Sequence, residues 1–596
     1  MTSMSTSAPL TNGGANTVFS RDTIAASRLS VWCDRLLEMG WLAAVIVAPL
    51  FFNIYSSRVF EPDKLTTVRS IAVAMAAIWL IKWIDERRNP SADRRVTWRT
   101  PLVAPTLILV VVYILSSLVS VAPRTSLLGS YQRLQGTYTY FSYILIFFMI
   151  LSSMRTRAQF DRLLNTVVVT SFPVAIYGAI QRMNIDPLPW GGDVTERVAG
   201  NMGNSIFIAA YLVIAFFIAS GRIVESLASI FGSREARVVD IVRTALFIVI
   251  AGLNAFVIAV LAGSRGPQIG WIAGIGFMVL LLAQLIRRRK LRFVVTMLMV
   301  AAGAVVIGGF VFINVSKSEF AESLKKFPMF GRLSSVLQAS DGTNLVRKLI
   351  WDGNVNLMLP HDAIEFPPGT GQAGPDPFNA IRPLIGYGPE SMYVAYNRYY
   401  PPGLANVEAR NASPDRSHNE TWDSFVITGV IGFIAYIFLF GAFFYFGFKW
   451  VGLIIRRRDS ILFWSLWIIG GIVGGVGSVT ILEPAFLGVG IAGGVGIGLA
   501  LFMLISSIMS ALGAAEGALH VRASLRVDRM IEGGQGAAVP DQRPLADRDP
   551  PGVLEAAAHI DEDALADPHG LDAQPATAEL VPADEGVVRE EGPSAH

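Results

Sequence analysis

The chain has 596 residues, 52% of them hydrophobic and only 16% charged, with a formal net charge of +3. Charged residues make up about a quarter of soluble domains, so the composition excludes an ordinary soluble protein, and so small a net charge gives no reason to expect a nucleic-acid partner. A single cysteine, Cys33, excludes a disulfide framework and a cysteine-based metal site.

A membrane-spanning helix needs about 20 mostly apolar residues. Twelve such segments are predicted, at 39–55, 65–84, 101–121, 137–154, 163–180, 204–221, 244–263, 267–286, 293–313, 424–447, 460–481 and 485–509. Residues 1–38 read as a polar lead-in without a cleavable signal; 22–38 reads either as part of that lead-in or as a short interfacial helix. Basic clusters ("DERRNPSADRRVTWR", "RTRAQFDR", "RRRKLR", "RRRD") follow spans 2, 4, 8 and 10, and Arg222, Arg234, Arg237 and Arg243 follow span 6. Lys and Arg are enriched in cytoplasmic loops, which places all five on one face and both termini inside. The expected architecture is an all-α polytopic membrane protein: a lead-in (1–38), helices 1–9 (39–313), a large outer loop (314–423), helices 10–12 (424–510) and a disordered cytoplasmic tail (511–596).

Loops beyond about 15 residues are usually functional or disordered, so the 314–423 segment is read as a partly helical cap. "SKSEFAESLKKF" and "LVRKLIWDGNVNLML" carry helical spacing, while "HDAIEFPPGTGQAGPDPFNA" is rich in Pro and Gly. Hinges at 367–377 would let this cap close over a substrate. The glycines of "GGIVGGVGS" and "GVGIAGGVGIG" read as surfaces for close helix packing rather than a nucleotide loop.

Several cations fall on the outer face, where the inside bias predicts few: Arg58, Lys64, Arg133, Arg197, Arg265 and Arg347. Arginine binds phosphate bidentately and stays charged, so a ring of them at headgroup depth suits a lipid-linked diphosphate. An Arg at a helix end also commonly snorkels to lipid phosphate. Arg58 reads that way, and Lys64 and Arg197 read equally as either. Arg265 favours a site, because "GSRG" confines it to a tight turn; Arg347 sits on an amphipathic helix and by itself favours the surface reading.

His361 and His418 are the histidines of the outer loop. His361 follows a proline in an irregular stretch and reads as a solvated side chain. His418, in "DRSHNETWDSFVITGVIG", stands at the mouth of a spanning helix beside Asp415, Glu420 and Asp423. With an ordinary pKa near 6.5 it is partly neutral at pH 7 and able to take a proton from a hydroxyl; a helix-capping polar cluster fits the local sequence equally well. No second histidine at ligand spacing accompanies it, so metal-independent chemistry without a cofactor is expected. Tyr393, Tyr396, Tyr399 and Tyr400 read equally as sugar-stacking platforms or as packing of the cap.

Taken in order, "RLQG" before span 4, "RVAGNMGNSIFIAAYL" into span 6, "SRG" between spans 7 and 8, "RKLIW" and "GYGPES" in the outer loop, and "DRSHNETWDSFVITGVIGFIAYI" closing it, the sequence resembles the O-antigen ligase and polymerase superfamily over most of residues 40–510. That resemblance implies a glycosyltransferase of a bacterial inner membrane, using a polyprenyl diphosphate-linked glycan donor and a glycan or glycolipid acceptor. It further implies that Arg265 and Arg347 engage the diphosphate, with Arg133 and Arg197 as additional contacts. His418 would activate the acceptor hydroxyl, with Asp415, Glu420 and Lys64 in support. Ligase, polymerase and protein O-oligosaccharyltransferase remain open within the enzyme class; a flippase for the same lipid is the alternative from another class.

Overall fold

The computed structural model describes residues 27–88, 96–188, 194–232, 238–284, 286, 288–334, 342–367, 374–408 and 412–511. The expected tail at 511–596, most of the lead-in and part of the 367–377 hinge lie outside the described residues. The apolar helices are α1 (Arg28–Leu50), α2 (Pro62–Arg88), α3 (Val103–Leu118), α5 (Thr137–Ser153), α6 (Arg157–Arg182), α7 (Ser205–Gly232), α8 (Val238–Phe256), α9 (Arg265–Gln284) and α10 (Arg289–Val315), then α16 (Glu420–Val451), α17 (Arg457–Ile481) and α18 (Leu487–Ala511). Between them come a short α4 (Pro123–Leu128) and the cap helices α11 (Glu319–Lys325), α12 (Pro328–Leu333), α13 (Gly342–Met358), α14 (Arg382–Ile385) and α15 (Met392–Ala395). The one strand pair among the described residues is a two-residue antiparallel contact, Glu365–Phe366 with Gly374–Pro375.

Nine helices among the described residues are long and apolar enough to cross a membrane, and α3 and α5 are shorter apolar helices. The protein is an all-α, multi-pass membrane protein. Each of the twelve predicted segments coincides with an apolar helix, with one displacement. The segment expected at 39–55 is instead α1, which starts at Arg28 and stops at Leu50. Ser27 caps it by accepting from the Ser30 N–H, so residues 28–38 belong to the same continuous helix as 39–50. At the same end Arg222 pairs with Asp161 and Glu225, and Arg243 with Asp240. Those two arginines thus help to tie α6, α7 and α8 together at this end.

Glycines set the closest approaches. α17 and α18 pack backbone to backbone: a Cβ on Gly470 would lie 2.4 Å from the Gly494 carbonyl oxygen, as the small-residue pattern predicts. α16 is broken at Gly429, whose φ of 68° and ψ of −172° interrupt the helix. The break frees the Ile427 carbonyl, which in an apolar interior must find donors. It accepts from the Gly388 N–H at 3.0 Å and from Ser116 Oγ of α3 at 2.6 Å. Tyr387 N–H donates to Val426 O at 2.8 Å, and Val121 N–H to Tyr387 O at 3.1 Å. The "GYG" of the cap is therefore threaded between the end of α3 and the break in α16.

The cap has its own apolar core. Ile350, Trp351 and Leu357 of α13 pack with Tyr387 and Tyr396 against Trp422 and Val426 of α16. Burying such side chains contributes about 1.5–3 kcal/mol each. A fully buried ion pair, Arg382 with Asp376 at 2.7 Å, ties the cap down, with Arg382 also donating to the Val119 and Gly386 carbonyls. Tyr396 belongs to this core, its hydroxyl 3.3 Å from the Ile350 carbonyl, so packing rather than sugar stacking accounts for it. Tyr393 is exposed, and Tyr400 meets Tyr396 edge-on. His361 departs from its sequence reading. Its ring lies 5.0 Å from that of Tyr399, and its Nε2 is 3.1 Å from the Tyr387 hydroxyl, because the chain after α13 folds back over the cap core.

Candidate functional site

The end of the bundle that carries the cap gathers the loops before α2, α5, α7, α9 and α16. Ser57 meets Tyr131 at 3.1 Å, Lys64 donates to the Asn201 carbonyl at 3.3 Å, and Arg133 pairs with Asp415. These contacts bring the sequence-predicted cations to one end, in two groups.

The first group surrounds His418. Asn419 caps α16 by accepting from the Trp422 N–H at 3.2 Å, and His418 immediately precedes it with a φ of 52°. A left-handed backbone is uncommon for a residue with a Cβ and persists where the surroundings over-determine it. Here they do. The preceding Ser417 N–H donates to Asp423 Oδ1 at 2.7 Å, and the Ser417 carbonyl accepts from the Trp351 indole at 2.8 Å. Trp351 stands one turn beyond Arg347 on α13, so the "RKLIW" spacing puts the anchor and the cation on one helical face.

Arg133 arrives on the loop between α4 and α5. Glu390 of "GYGPES" holds that loop by accepting from the Ser130 and Gln135 backbone N–H groups, and both Glu390 and Leu134 have a φ of 50°. Arg69 of α2 braces it from below, donating to the Leu128 and Leu134 carbonyls. Arg416 donates to the Gln135 side chain. A narrow cavity is lined by Gln135, Tyr140, Glu390, Asp415, Arg416 and Asp423.

The electrostatics follow from this crowding. Burial pushes the His418 imidazole down to about 4; Asp415 opposes the shift, and Arg347, Arg133 and Arg416 add to it. The ring is therefore neutral at neutral pH. Burial works against the charge of Arg416, but Tyr140, Asp423, Asp415 and Glu420 outweigh it and hold the guanidinium above its ordinary range. Glu420 thus faces Arg416.

The second group surrounds the turn before α9. α8 ends in a wide turn, Val257–Leu261, of the π-helical kind often found at functional sites. The Gln268 side chain satisfies its Ile258 and Ala259 carbonyls at 3.2 and 3.0 Å. Gly263 takes a φ of 57°, and Arg265 opens α9. The Val198 N–H donates to the Leu261 carbonyl at 3.3 Å, which sets Arg197 against Ser264 at 3.2 Å. Gln181 Oε1 accepts from the Ala199 and Gly200 N–H groups and fixes the "RVAGNMGN" loop. Arg197, Arg265 and Lys64 thus border one loop, while Arg133, Arg347 and Asp415 collect at His418. Arg58 is exposed.

Glu61 joins the two groups. It faces Lys64 on one side and Arg133 and Arg416 on the other. Burial raises its pKa, against the attraction of the two arginines. Sequence reading missed it, because an acidic residue before a proline at a helix start is an ordinary N-terminal feature. Arg416 was equally missed, although it stands in the same "DRSHNE" as His418.

Among the described residues no group of three or more His, Cys, Asp or Glu side chains is arranged to hold a metal ion. The arrangement offers a neutral imidazole, several guanidinium groups and several acidic side chains at one end of an apolar bundle. The fold and site define a multi-pass membrane protein with a capped, cation-rich site at one end. No family model matches the chain, and no curated protein matches it significantly.

Proposed function

We propose that the protein is a membrane glycosyltransferase that moves a glycan from a polyprenyl diphosphate carrier to an acceptor hydroxyl at the capped end, as an O-antigen ligase or surface-polysaccharide polymerase. That end faces outward from a bacterial inner membrane, with both termini cytoplasmic and the cap spanning the outer loop. The observation that carries the reading is His418: a neutral imidazole held in a left-handed turn at a helix mouth, facing Asp415 and three arginines. A structural cap would not require a buried, neutral imidazole among so many cations.

In the reaction the acceptor oxygen attacks the anomeric carbon as the bond from that carbon to the diphosphate oxygen breaks. The acceptor proton passes to the His418 imidazole, and the electron pair leaves with the diphosphate. Arg133 and Arg347, beside His418, and Arg265 with Arg197, at the neighbouring turn, stabilise the charge that develops on the leaving group. One direct displacement inverts the anomeric configuration. Holding donor and acceptor at one end of the bundle converts their encounter into an oriented reaction. Polar groups at the rim rather than at mid-bilayer favour this over a transport pathway.

The test is glycan transfer in proteoliposomes containing a polyprenyl diphosphate-linked oligosaccharide, with glycan, glycolipid and Ser/Thr-peptide acceptors supplied separately. Chelator-insensitive transfer by the wild type, lost in folded His418→Ala and Arg265→Ala proteins, supports the reading, and the acceptor used separates ligase, polymerase and protein glycosylation. Lipid movement between leaflets without transfer sinks it in favour of a flippase.

A further inference from the structure

Arg133 and Asp415 are bound to each other in this structure. Their side chains are 14% and 38% exposed, and the Arg133 Nε donates to Asp415 Oδ2. Neither is placed by chance. Arg133 sits on a loop clamped by the two N–H bonds to Glu390, and Asp415 lies three residues before His418, next to an Arg416 held by Gln135. The carboxylate therefore stands between two customers, a guanidinium across the cleft and an imidazole on its own loop. Asp415 acts on the His418 ring even in the paired state, in opposition to Arg347, Arg133 and Arg416.

A guanidinium prefers the anion with more charge and more acceptor oxygens in a matching fork. A diphosphate exceeds a single half-exposed carboxylate on both counts. An ion pair with a partly exposed partner contributes little to stability, so its rupture is a small obstacle to an incoming anion.

We propose that Asp415 is an exchangeable partner and a positioning residue: it holds Arg133 as this structure shows and, when a diphosphate takes Arg133, it turns to the N–H of the His418 imidazole and orients the opposite ring nitrogen toward the acceptor. The inference rests on the diphosphate reading above. The acceptor's proton remains on His418, where the Asp415 side chain stabilises the imidazolium. The donor thereby switches on the base that acts on it, and an acceptor arriving first meets a weakly basic histidine. The charged groups facing His418 are Asp415 and Arg416 on its own loop, Arg133 from the loop before α5 and Arg347 from α13. Glu61 and Glu390 face the same arginines from the loops before α2 and within the cap.

The test uses full-length protein in lipid nanodiscs and inorganic pyrophosphate as the probe. Carbethoxylation of His418 by diethylpyrocarbonate, which reacts with the neutral ring, is followed against pH by peptide mass spectrometry, with His361 as the internal reference. Calorimetry reports whether pyrophosphate binds. Pyrophosphate should move the wild-type midpoint upward by about one unit or more, the size expected when a carboxylate comes within contact of an imidazole. In Asp415→Asn the shift should fall to the residue caused by the anion's own charge, well under half of the wild-type value, and Asp415→Glu should restore it. Equal shifts in wild type and Asp415→Asn, or binding without any wild-type shift, overturn the exchange and leave the diphosphate site standing. Absence of pyrophosphate binding overturns both.

Discussion

The Trp351 indole donates a 2.8 Å hydrogen bond to the carbonyl of Ser417, the residue before His418. One bond thus couples the cap helix α13 to the mouth of α16. Replacing Trp351 with Phe keeps most of the apolar contact and deletes the donor, leaving a buried carbonyl unsatisfied. Stability should fall by about 1–3 kcal/mol. Transfer should fall by about tenfold or more, because a misplacement of about 1 Å at a reacting centre can cost a hundredfold. Thermal unfolding and single-turnover transfer on one preparation check both; unchanged turnover would show that the His418 turn holds without this anchor.

Transfer should stay active at acidic pH. A base with its pKa lowered to about 4 is neutral, and competent, throughout the range above about 5, and activity is lost as pH falls through about 4. Because kcat/KM reports the free enzyme, its acid limb should lie near 4 rather than near the ordinary 6.5. His418→Ala should lower the rate by about 10²–10⁴-fold and abolish that limb. A limb that survives in His418→Ala belongs to another group.

Gly429 tests the threaded segment. A Cβ there would lie 2.2 Å from the Leu384 carbonyl carbon, and the backbone region it occupies is nearly closed to other residues. Gly429→Ala should therefore cost about 1–3 kcal/mol in backbone strain alone, and more with the clash. Gly447→Ala, on the same helix with nothing within 4 Å of the added Cβ, should be neutral or slightly stabilising. Equal unfolding temperatures for the two variants would contradict the break.

The Arg382–Asp376 pair is fully buried, and removing one member strands the other's charge. Each of Arg382→Met and Asp376→Leu should destabilise by about 3–5 kcal/mol. The double variant should be less destabilised than the sum of the two, a coupling read directly from a double-mutant cycle.

Glu61 should make the protein less stable toward alkaline pH. Its folded-state pKa is raised, so the unfolded chain gives up this proton first. The stability it contributes is present below the unfolded value and declines as pH rises through the interval up to the folded one. Glu61→Gln should remove that slope and unfold at the same or a higher temperature at pH 7. A steeper loss in the variant would mean that the arginines beside Glu61 depend on its charge.

The sequence by itself determined the all-α membrane class, since about 20 apolar residues in a row have few other uses, and nine of the twelve predicted segments meet helices long and apolar enough to cross a membrane among the described residues. It also determined the glycine-rich contact of α17 with α18 and the helices α11 and α13 of the cap. It singled out His418 because a titratable group at a helix mouth stands out against an apolar chain. What only the tertiary structure decided is which charges share a site. Arg133 and Asp415 are 282 positions apart in the numbering, and they meet because Glu390 clamps one loop and Trp351 the other. Glu61 and Arg416 carry no sequence signal of their own, for a charge acquires its role from the charges that burial forces it to face. The start of α1 and the break in α16 were likewise settled by packing: a capping serine and a threaded loop overrode what hydropathy alone would place. Apolar runs are local and survive in one dimension, whereas an electrostatic site is a property of distances the chain acquires only when it folds.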